Sequence, residues 1–289
     1  MKFLIVNADD FGRYHGVSRG IINAHLNGIV SSTTALVNAA DAPASLDIVL
    51  KQAPKLGIGV HLNLTHGKPI SPPYTIPTLV DQAGFLWSPL EKPDVFNKWH
   101  EDDLRRELTA QIERFIILTG KRPTHLDSHY HASLLFPSPL KVTLELANKY
   151  GIPIRRPPSI EPSKKASAIL MNNFPNVPPA IAKNIISETQ LIFENYPHVQ
   201  WPNYLELRFY RPDITLDNLS SILSHLKDGI TELMCHPGYV DGMEGSVYRV
   251  ERENEILLLS DPLILSLINN LNVILITFSQ LSSVLLKPT

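Results

Sequence analysis

The stretch Asn7-Ala8-Asp9-Asp10-Phe11-Gly12 follows the apolar run 2–6 directly and is the main signal of the fold in this sequence. An apolar run of this length predicts a strand that is buried on both faces, as strands of parallel sheets are. The strand carries two adjacent carboxylates to its carboxyl end, where α/β proteins bind ligands and perform chemistry. Two such carboxylates repel each other, and a divalent cation relieves that cost. Two interpretations of this stretch are about equally favoured. In the first, one aspartate is a metal ligand and the other is a general base. In the second, one aspartate belongs to a turn and the other caps a helix.

Length and composition favour a single globular α/β domain with a large core. The chain has 289 residues, of which 44% are hydrophobic and 19% are charged, and one α/β barrel of ~250 residues is ordinary. The net charge of -2 gives no preference for nucleic acid or an anionic membrane. No run approaches the ~20 apolar residues of a membrane span. The chain has one cysteine, Cys235, so it cannot form an intrachain disulfide. We expect a cytoplasmic protein.

Strand and helix patterns alternate along the chain. Seven strands are predicted, at 2–6, 33–37, 57–63, 124–127, 152–155, 232–236 and 273–277. Helices are predicted at 15–27, 43–53, 101–118, 141–149, 180–194, 215–226, 250–260, 261–269 and 278–286. About seven parallel strands interleaved with helices are typical of a distorted or incomplete TIM-like (β/α) barrel, with its site at the carboxyl ends of the strands.

Two segments interrupt this alternation. The loop 66–93 is rich in proline and glycine and is too long to be a simple connector. The run 157–213 contains many prolines and the aromatic-rich segment 201–210. We predict that residues 1–289 form a single catalytic domain, with the run at about 157–213 inserted over the barrel mouth.

Histidines fall at or near the predicted strand ends. They are His61, His125, His129, His131 and His236. A single histidine is usually a core or surface residue with its hydrogen bonds satisfied. Four strand ends that each carry Asp or His are hard to explain by packing alone, and one carboxylate with two imidazoles is typical of a catalytic divalent metal. Alternatively, His125, His129 and His131 form a local cluster, which leaves His61 and Asp10 without a role.

Four segments together resemble the motifs of the YdjC-like carbohydrate deacetylases, a family that includes the diacetylchitobiose deacetylases. They are Asn7–Gly12, Gly59–Thr65, His125–His131 and Cys235–Tyr239. Each motif is weak by itself, whereas their joint order and spacing are specific. The resemblance implies a distorted (β/α) barrel, one bound divalent metal, and hydrolysis of the N-acetyl group of a small acetylated amino sugar such as a chitooligosaccharide.

The resemblance also implies roles for individual residues. By the matching positions, Asp10, His61 and His125 are the metal ligands, Asp9 is the catalytic base, and His236 is the acid or an oxyanion partner. Candidate sugar contacts are His129, His131, Arg155 and Tyr239. The chain departs from the family pattern at Ser133, where relatives often carry a further histidine.

The residue types agree with such a mechanism. A metal polarises the acetyl carbonyl and lowers the pKa of bound water, Asp9 removes the water proton, and His236 is the best-placed acid, with His129 or His131 as alternatives. Two imidazoles favour Zn²⁺, Mn²⁺, Co²⁺ or Ni²⁺ over Mg²⁺, whereas the family is commonly described as magnesium-dependent. Arg252 and Glu255 are predicted to form an i,i+3 pair on a helix.

Two other functions compete with the deacetylase. One is a barrel metallohydrolase that acts on a phosphoester or a cyclic amide, although a two-metal phosphoesterase needs more carboxylates at the strand ends. The other is a non-catalytic sugar-binding relative, which has no need of Asp9 beside Asp10. We expect a small sugar as substrate, no nucleic-acid or membrane partner, and a homo-oligomer, with a dimer favoured.

Overall fold

The computed structural model describes residues 1–87, 95–243 and 248–285. Its strands are β1 (Lys2–Phe11), β2 (Ser32–Ala35), β3 (Gly57–Leu62), β4 (Leu126–Ser128), β5 (Tyr204–Glu206), β6 (Gly229–Cys235) and β7 (Val273–Leu275). They form a sheet of order β4-β3-β2-β1-β6-β5, and β7 pairs with β1. Parallel strands in an open order, with helices between them, confirm the predicted incomplete (β/α) barrel.

Helices connect these strands. They are α1 (His15–Leu26), α2 (Ala42–Gln52), α3 (Glu101–Thr119), α4 (Ala132–Leu135), α5 (Pro137–Tyr150), α6 (Ser163–Asn173), α7 (Pro179–Ile192), α8 (Leu216–Ser224), α9 (Val250–Leu259), α10 (Pro262–Asn270) and α11 (Leu281–Leu285). Helix α3 shows why they form, since its apolar residues at helical spacing are buried and Gly120, with φ 66°, ends it. Within the described ranges, no helix is long and apolar enough to cross a membrane.

The chain divides into two compact units. The first comprises Met1–Gly59 and Trp201–Thr289, and the second comprises Val60–Gln200. The prediction of a single catalytic domain stays a prediction. Residues 88–93 of the predicted loop and residue 286 of the last predicted helix lie outside the described residues.

Strand β1 is central to the first unit. It pairs with β2, β6 and β7, always in parallel, and its residues from Leu4 onward are buried. Ile5 of β1 belongs to an apolar cluster with Ile230, Ile276, Phe278 and Leu281. Because β1 has neighbours on both sides and a packed face, its carboxyl end is a rigid place for polar side chains.

One predicted strand differs from the structure. Residues 152–155 contribute only an isolated bridge between Ile154 and Leu126, because Pro153 has no N–H to donate to a ladder. The place of this predicted strand among the seven strands of the described sheet is taken by β5, which pairs with β6. Strand β5 lies in the run 157–213, which the sequence predicts as an insertion. The rest of that run contains α6 and α7, and its place over a barrel mouth stays a prediction.

Candidate active site

The two adjacent carboxylates lie where β1 ends. Asp9 and Asp10 are both buried. Asp10 has a left-handed backbone, with φ 72°, and the pairing of β1 with β2 shifts register between Ala8 and Phe11. A left-handed non-glycine residue costs about 1–3 kcal/mol and persists only where its surroundings enforce it. Side chains of a regular strand alternate between its two faces. The irregularity at Asp9 and Asp10 breaks this alternation, as a bulge does.

Each carboxylate has its own partners in the first unit. The Asn7 side-chain amide donates a 2.9 Å hydrogen bond to Asp9 Oδ1. Two arginines bind Asp10 Oδ2, Arg252 through Nη2 and Arg13 through Nη1 at 3.3 Å. The Asp10 carboxylate is therefore compensated by cations, whereas Asp9 is oriented by a neutral amide.

His236 follows β6 and lies beside Asp9. The register pairs Ala8 with Cys235, and the distance from His236 Nε2 to Asp9 Oδ2 is 4.0 Å. The imidazole also contacts the rings of Tyr210 and Tyr248, with centroids 5.7 and 5.6 Å away. The parallel register therefore brings the predicted base and the predicted acid together.

Helix α9 supplies two buried ionisable groups to this region. Glu255 accepts hydrogen bonds from the backbone N–H of His236 and from the Tyr248 hydroxyl. Arg252 donates to the carbonyl oxygen of His236 at 3.2 Å in addition to binding Asp10. Burial raises the pKa of the Glu255 carboxyl to about 7, although its hydrogen bonds oppose this shift. The predicted i,i+3 pair is thus corrected, because each side chain binds other groups.

In the second unit, a chain of buried charges orients His61. Its Nδ1 lies 2.6 Å from Asp127 Oδ1, and Asp127 Oδ2 lies 3.1 Å from Arg155 Nη2. When Nδ1–H donates to the carboxylate, the Nε2 lone pair is available to a ligand, the usual arrangement of metal-binding histidines. Arg155, predicted as a sugar contact, is fully buried and instead binds the residue that orients His61.

His129 is the partner of His61 in this unit. Its Nδ1 lies 3.4 Å from His61 Nε2, and the two rings meet edge to face with centroids 5.4 Å apart. His129 begins a tight turn after β4 in which Tyr130 and His131 have left-handed backbones. His131 is also buried. The turn aims the His129 imidazole at the end of the neighbouring strand.

The structure does not place His125 at this position. His125 precedes β4, is fully buried, and has its Nδ1 2.9 Å from the Thr124 hydroxyl. The register pairs His61 with Asp127, so His125 lies two residues toward the amino end of the sheet. The prediction assumed that the strand ends at Asp127, whereas β4 runs over Leu126–Ser128 and the residue at its carboxyl end is His129.

Tyr239, the remaining predicted sugar contact, packs on helix α1. Its hydroxyl accepts a 2.7 Å hydrogen bond from the Asn23 amide, and the Arg19 guanidinium lies 5.3 Å from its ring centroid. Its backbone N–H donates to the Gly16 carbonyl oxygen. These contacts give Tyr239 a role in fixing the loop after β6 on α1.

Sequence reasoning missed the polar groups that shape the loop after β3. Asn63 exchanges two hydrogen bonds with Gln111 of α3, at 2.9 and 2.7 Å. Glu107, one helical turn earlier, accepts the backbone N–H groups of Ile70 and Ser71. Polar residues on the buried face of an otherwise apolar helix are the signal in the sequence, because burying them requires partners.

The chain is similar to known proteins over nearly its whole length. Residues 3–270 match the family model described as YdjC-like protein. The chain is 34% identical to a carbohydrate deacetylase of Thermoanaerobacter pseudethanolicus, over 97% of this chain and 100% of the relative. It is 30% identical to a chitooligosaccharide deacetylase of Yersinia enterocolitica, over 90% and 92%. A solved structure from Enterococcus faecalis, named for cellobiose-phosphate cleavage, superposes with a TM-score of 0.81 at 31% identity, over 97% and 98%.

Proposed function

The chain belongs to the YdjC-like family, and on that premise we propose that it is a metal-dependent carbohydrate deacetylase. Its substrate is a small acetylated amino sugar such as a chitooligosaccharide, from which it hydrolyses the N-acetyl amide; relatives named for this activity support the proposal. The single observation that carries it is the pair of imidazole nitrogens of His61 and His129, 3.4 Å apart and backed by the Asp127–Arg155 ion pair. Such second-layer partners accompany metal-binding histidines.

The proposed metal ligands are Asp10, His61 and His129. One carboxylate and two imidazoles with open positions suit a catalytic divalent cation. In this proposal His129 replaces His125 in the predicted set. The donor types favour Zn²⁺, Mn²⁺, Co²⁺ or Ni²⁺, and Mg²⁺ is the alternative that the family resemblance implies.

When bound, the cation supplies a Lewis acid that polarises the acetyl carbonyl and acidifies water. Asp9 accepts a proton from the attacking water, and the Asn7 amide keeps the Asp9 carboxylate oriented for this. His236, in protonated form, donates its proton to the amine nitrogen as the C–N bond breaks. The 4.0 Å separation of His236 Nε2 and Asp9 Oδ2 supports this assignment of acid and base.

Product analysis tests this function. The purified protein is incubated with acetylated chitooligosaccharides and, separately, with cellobiose phosphate, and free acetate and phosphate are measured. We expect acetate release that stops after chelation and returns with a divalent metal. Phosphate release without acetate would replace the proposal with a phosphoester hydrolase, and sugar binding without either product would indicate a non-catalytic relative.

Three earlier expectations stay predictions: the cytoplasmic location, the homodimer, and the direct sugar contacts of His129, His131, Arg155 and Tyr239. If His129 binds the metal, a sugar contact by the same imidazole is excluded. Of these four residues, His131 keeps this role most readily, since it follows His129 in the same turn.

A further inference from the structure

Glu255 is a fully buried carboxylate that the proposed reaction does not use. Burial of a carboxylate is costly unless its oxygens are hydrogen-bonded. Both oxygens have a partner here: Oε2 accepts from the His236 backbone N–H, and Oε1 accepts from the Tyr248 hydroxyl. These two partners are the proposed acid itself and a ring that touches its imidazole.

The other backbone group of His236 is bound from the same helix. Arg252, one turn before Glu255, donates to the His236 carbonyl oxygen at 3.2 Å, and its other nitrogen binds Asp10. One turn of α9 therefore binds both the N–H and the C=O of His236. The same turn connects the carboxyl end of β6 to the carboxyl end of β1.

The segment after His236 has little freedom to compensate for a loss of these bonds. The Gly238 N–H donates to the Arg252 carbonyl oxygen, and a Cβ added at Gly238 would meet the Val17 Cα at 3.0 Å. The segment is thus packed between α1 and α9. Contacts with both helices therefore determine its position.

We propose that Glu255 is a positioning residue that holds His236 at the correct distance from Asp9 for proton transfer. This inference rests on the proposed function, in which Asp9 is the base and His236 the acid. Glu255 acts through the backbone N–H of His236 and through the Tyr248 hydroxyl, whose ring contacts the imidazole. A misplacement of about 1 Å in a catalytic group can cost roughly 10²-fold in rate.

The test compares Glu255→Ala, Glu255→Gln and Glu253→Ala. Glutamine keeps an oxygen that accepts the His236 N–H. Glu253 is the matched control, because it lies on the same helix and accepts the Val240 N–H of the same loop at 3.3 Å. A crystal structure of each variant gives the distance between His236 Nε2 and Asp9 Oδ2. The values of kcat and KM are measured for acetate release from an acetylated chitooligosaccharide.

We expect Glu255→Ala to lengthen that distance beyond 4.0 Å and to lower kcat by roughly 10²-fold, with KM changed less than about twofold. Glu255→Gln should restore most of kcat, and Glu253→Ala should resemble the wild type. An unchanged distance in Glu255→Ala, or an equal loss of kcat in Glu253→Ala, would overturn the positioning role.

If Glu255→Ala does not fold, the variant Glu255→Asp tests the same proposal. Glu255→Asp keeps the carboxyl group and withdraws it by one methylene group, so it should lower kcat at least about tenfold with metal content unchanged. Wild-type kcat in Glu255→Asp would contradict the proposal. If the wild-type protein releases no acetate from any acetylated sugar, the proposed function fails, whereas the distances in the variant crystals still decide whether Glu255 positions His236.

Discussion

At the scale of single residues, neighbouring side chains of the same type have different partners. Asp9 and Asp10 are adjacent, yet Asp10 is bound by two arginines and Asp9 by the Asn7 amide. The left-handed backbone of Asp10 makes this possible, because it directs two consecutive carboxylates to separate partners. Substitution to asparagine preserves the shape of each side chain and removes its charge.

We predict that Asp9→Asn retains its metal and loses about 10²–10⁴-fold in kcat, because an amide cannot accept the water proton. Asp10→Asn should instead lose metal affinity, because a neutral amide is a weaker ligand than a carboxylate. Metal content by plasma mass spectrometry and kcat for acetate release measure both effects. A loss below about tenfold in metal-loaded Asp9→Asn would contradict the role of Asp9 as base.

The two histidines on either side of β4 allow a direct comparison. We predict that His129→Ala loses stoichiometric metal, because the imidazole next to His61 is removed. His125→Ala should keep its metal and lower the melting temperature, since it creates a cavity at a fully buried position. Metal content and thermal denaturation of both variants provide the measurement. Metal loss in His125→Ala with full metal in His129→Ala would restore the original prediction.

At the scale of elements, helix α9 carries a titratable group whose pKa is raised, and this has a consequence for stability. Burial raises the pKa of Glu255 from 4.5 to about 7. Between these two values the folded protein binds a proton at Glu255 that the unfolded chain has already released. The contribution of Glu255 to the free energy of unfolding is therefore present below pH 4.5 and is lost as the pH rises toward 7.

We predict that the stability of the wild type relative to Glu255→Gln decreases by about 3 kcal/mol between pH 4.5 and pH 7. Urea denaturation of both proteins at several pH values in this range measures the difference. Because groups distant from Glu255 titrate equally in both proteins, their contributions cancel in the comparison. A difference that stays constant, or that grows with pH, would mean that Glu255 is ionised in the folded protein across this range.

At the scale of the whole molecule, a metal bound at the proposed site would link metal binding to folding. A cation that binds only the folded protein stabilises it by RT ln(1 + [L]/Kd), about 2.7 kcal/mol when the free metal is 100 times Kd. The proposed ligand residues come from strand ends that are distant in sequence, so the unfolded chain offers no comparable site. The stability of the folded protein should therefore depend on free metal.

We predict that chelation lowers the melting temperature of the wild type and leaves that of His61→Ala unchanged, because the variant has no site to lose. Differential scanning calorimetry with and without chelator measures this, and restored metal should reverse the shift. An equal decrease in both proteins would show that the chelator acts at some other site.

Local pattern alone determined much of this protein. The buried first strand, the carboxylate pair at its end, and the alternation of strands with helices were all predicted, because burial on two faces and helical periodicity are local properties of a chain. The placement of His61 at the end of β3 also followed from this pattern. Parallel strands collect such residues at one edge of a sheet, so the sequence alone indicates a site there.

The contacts between side chains at that edge, in contrast, follow only from the tertiary structure. Whether His125 or His129 lies at the end of β4 depends on where the ladder with β3 stops, and a ladder is a property of two strands. The bond from Arg252 to Asp10 joins residues 242 positions apart, and the Asp127–Arg155 pair joins β4 to a later loop. A segment of sequence shows what a residue can bind, whereas the packing of distant segments determines what it does bind.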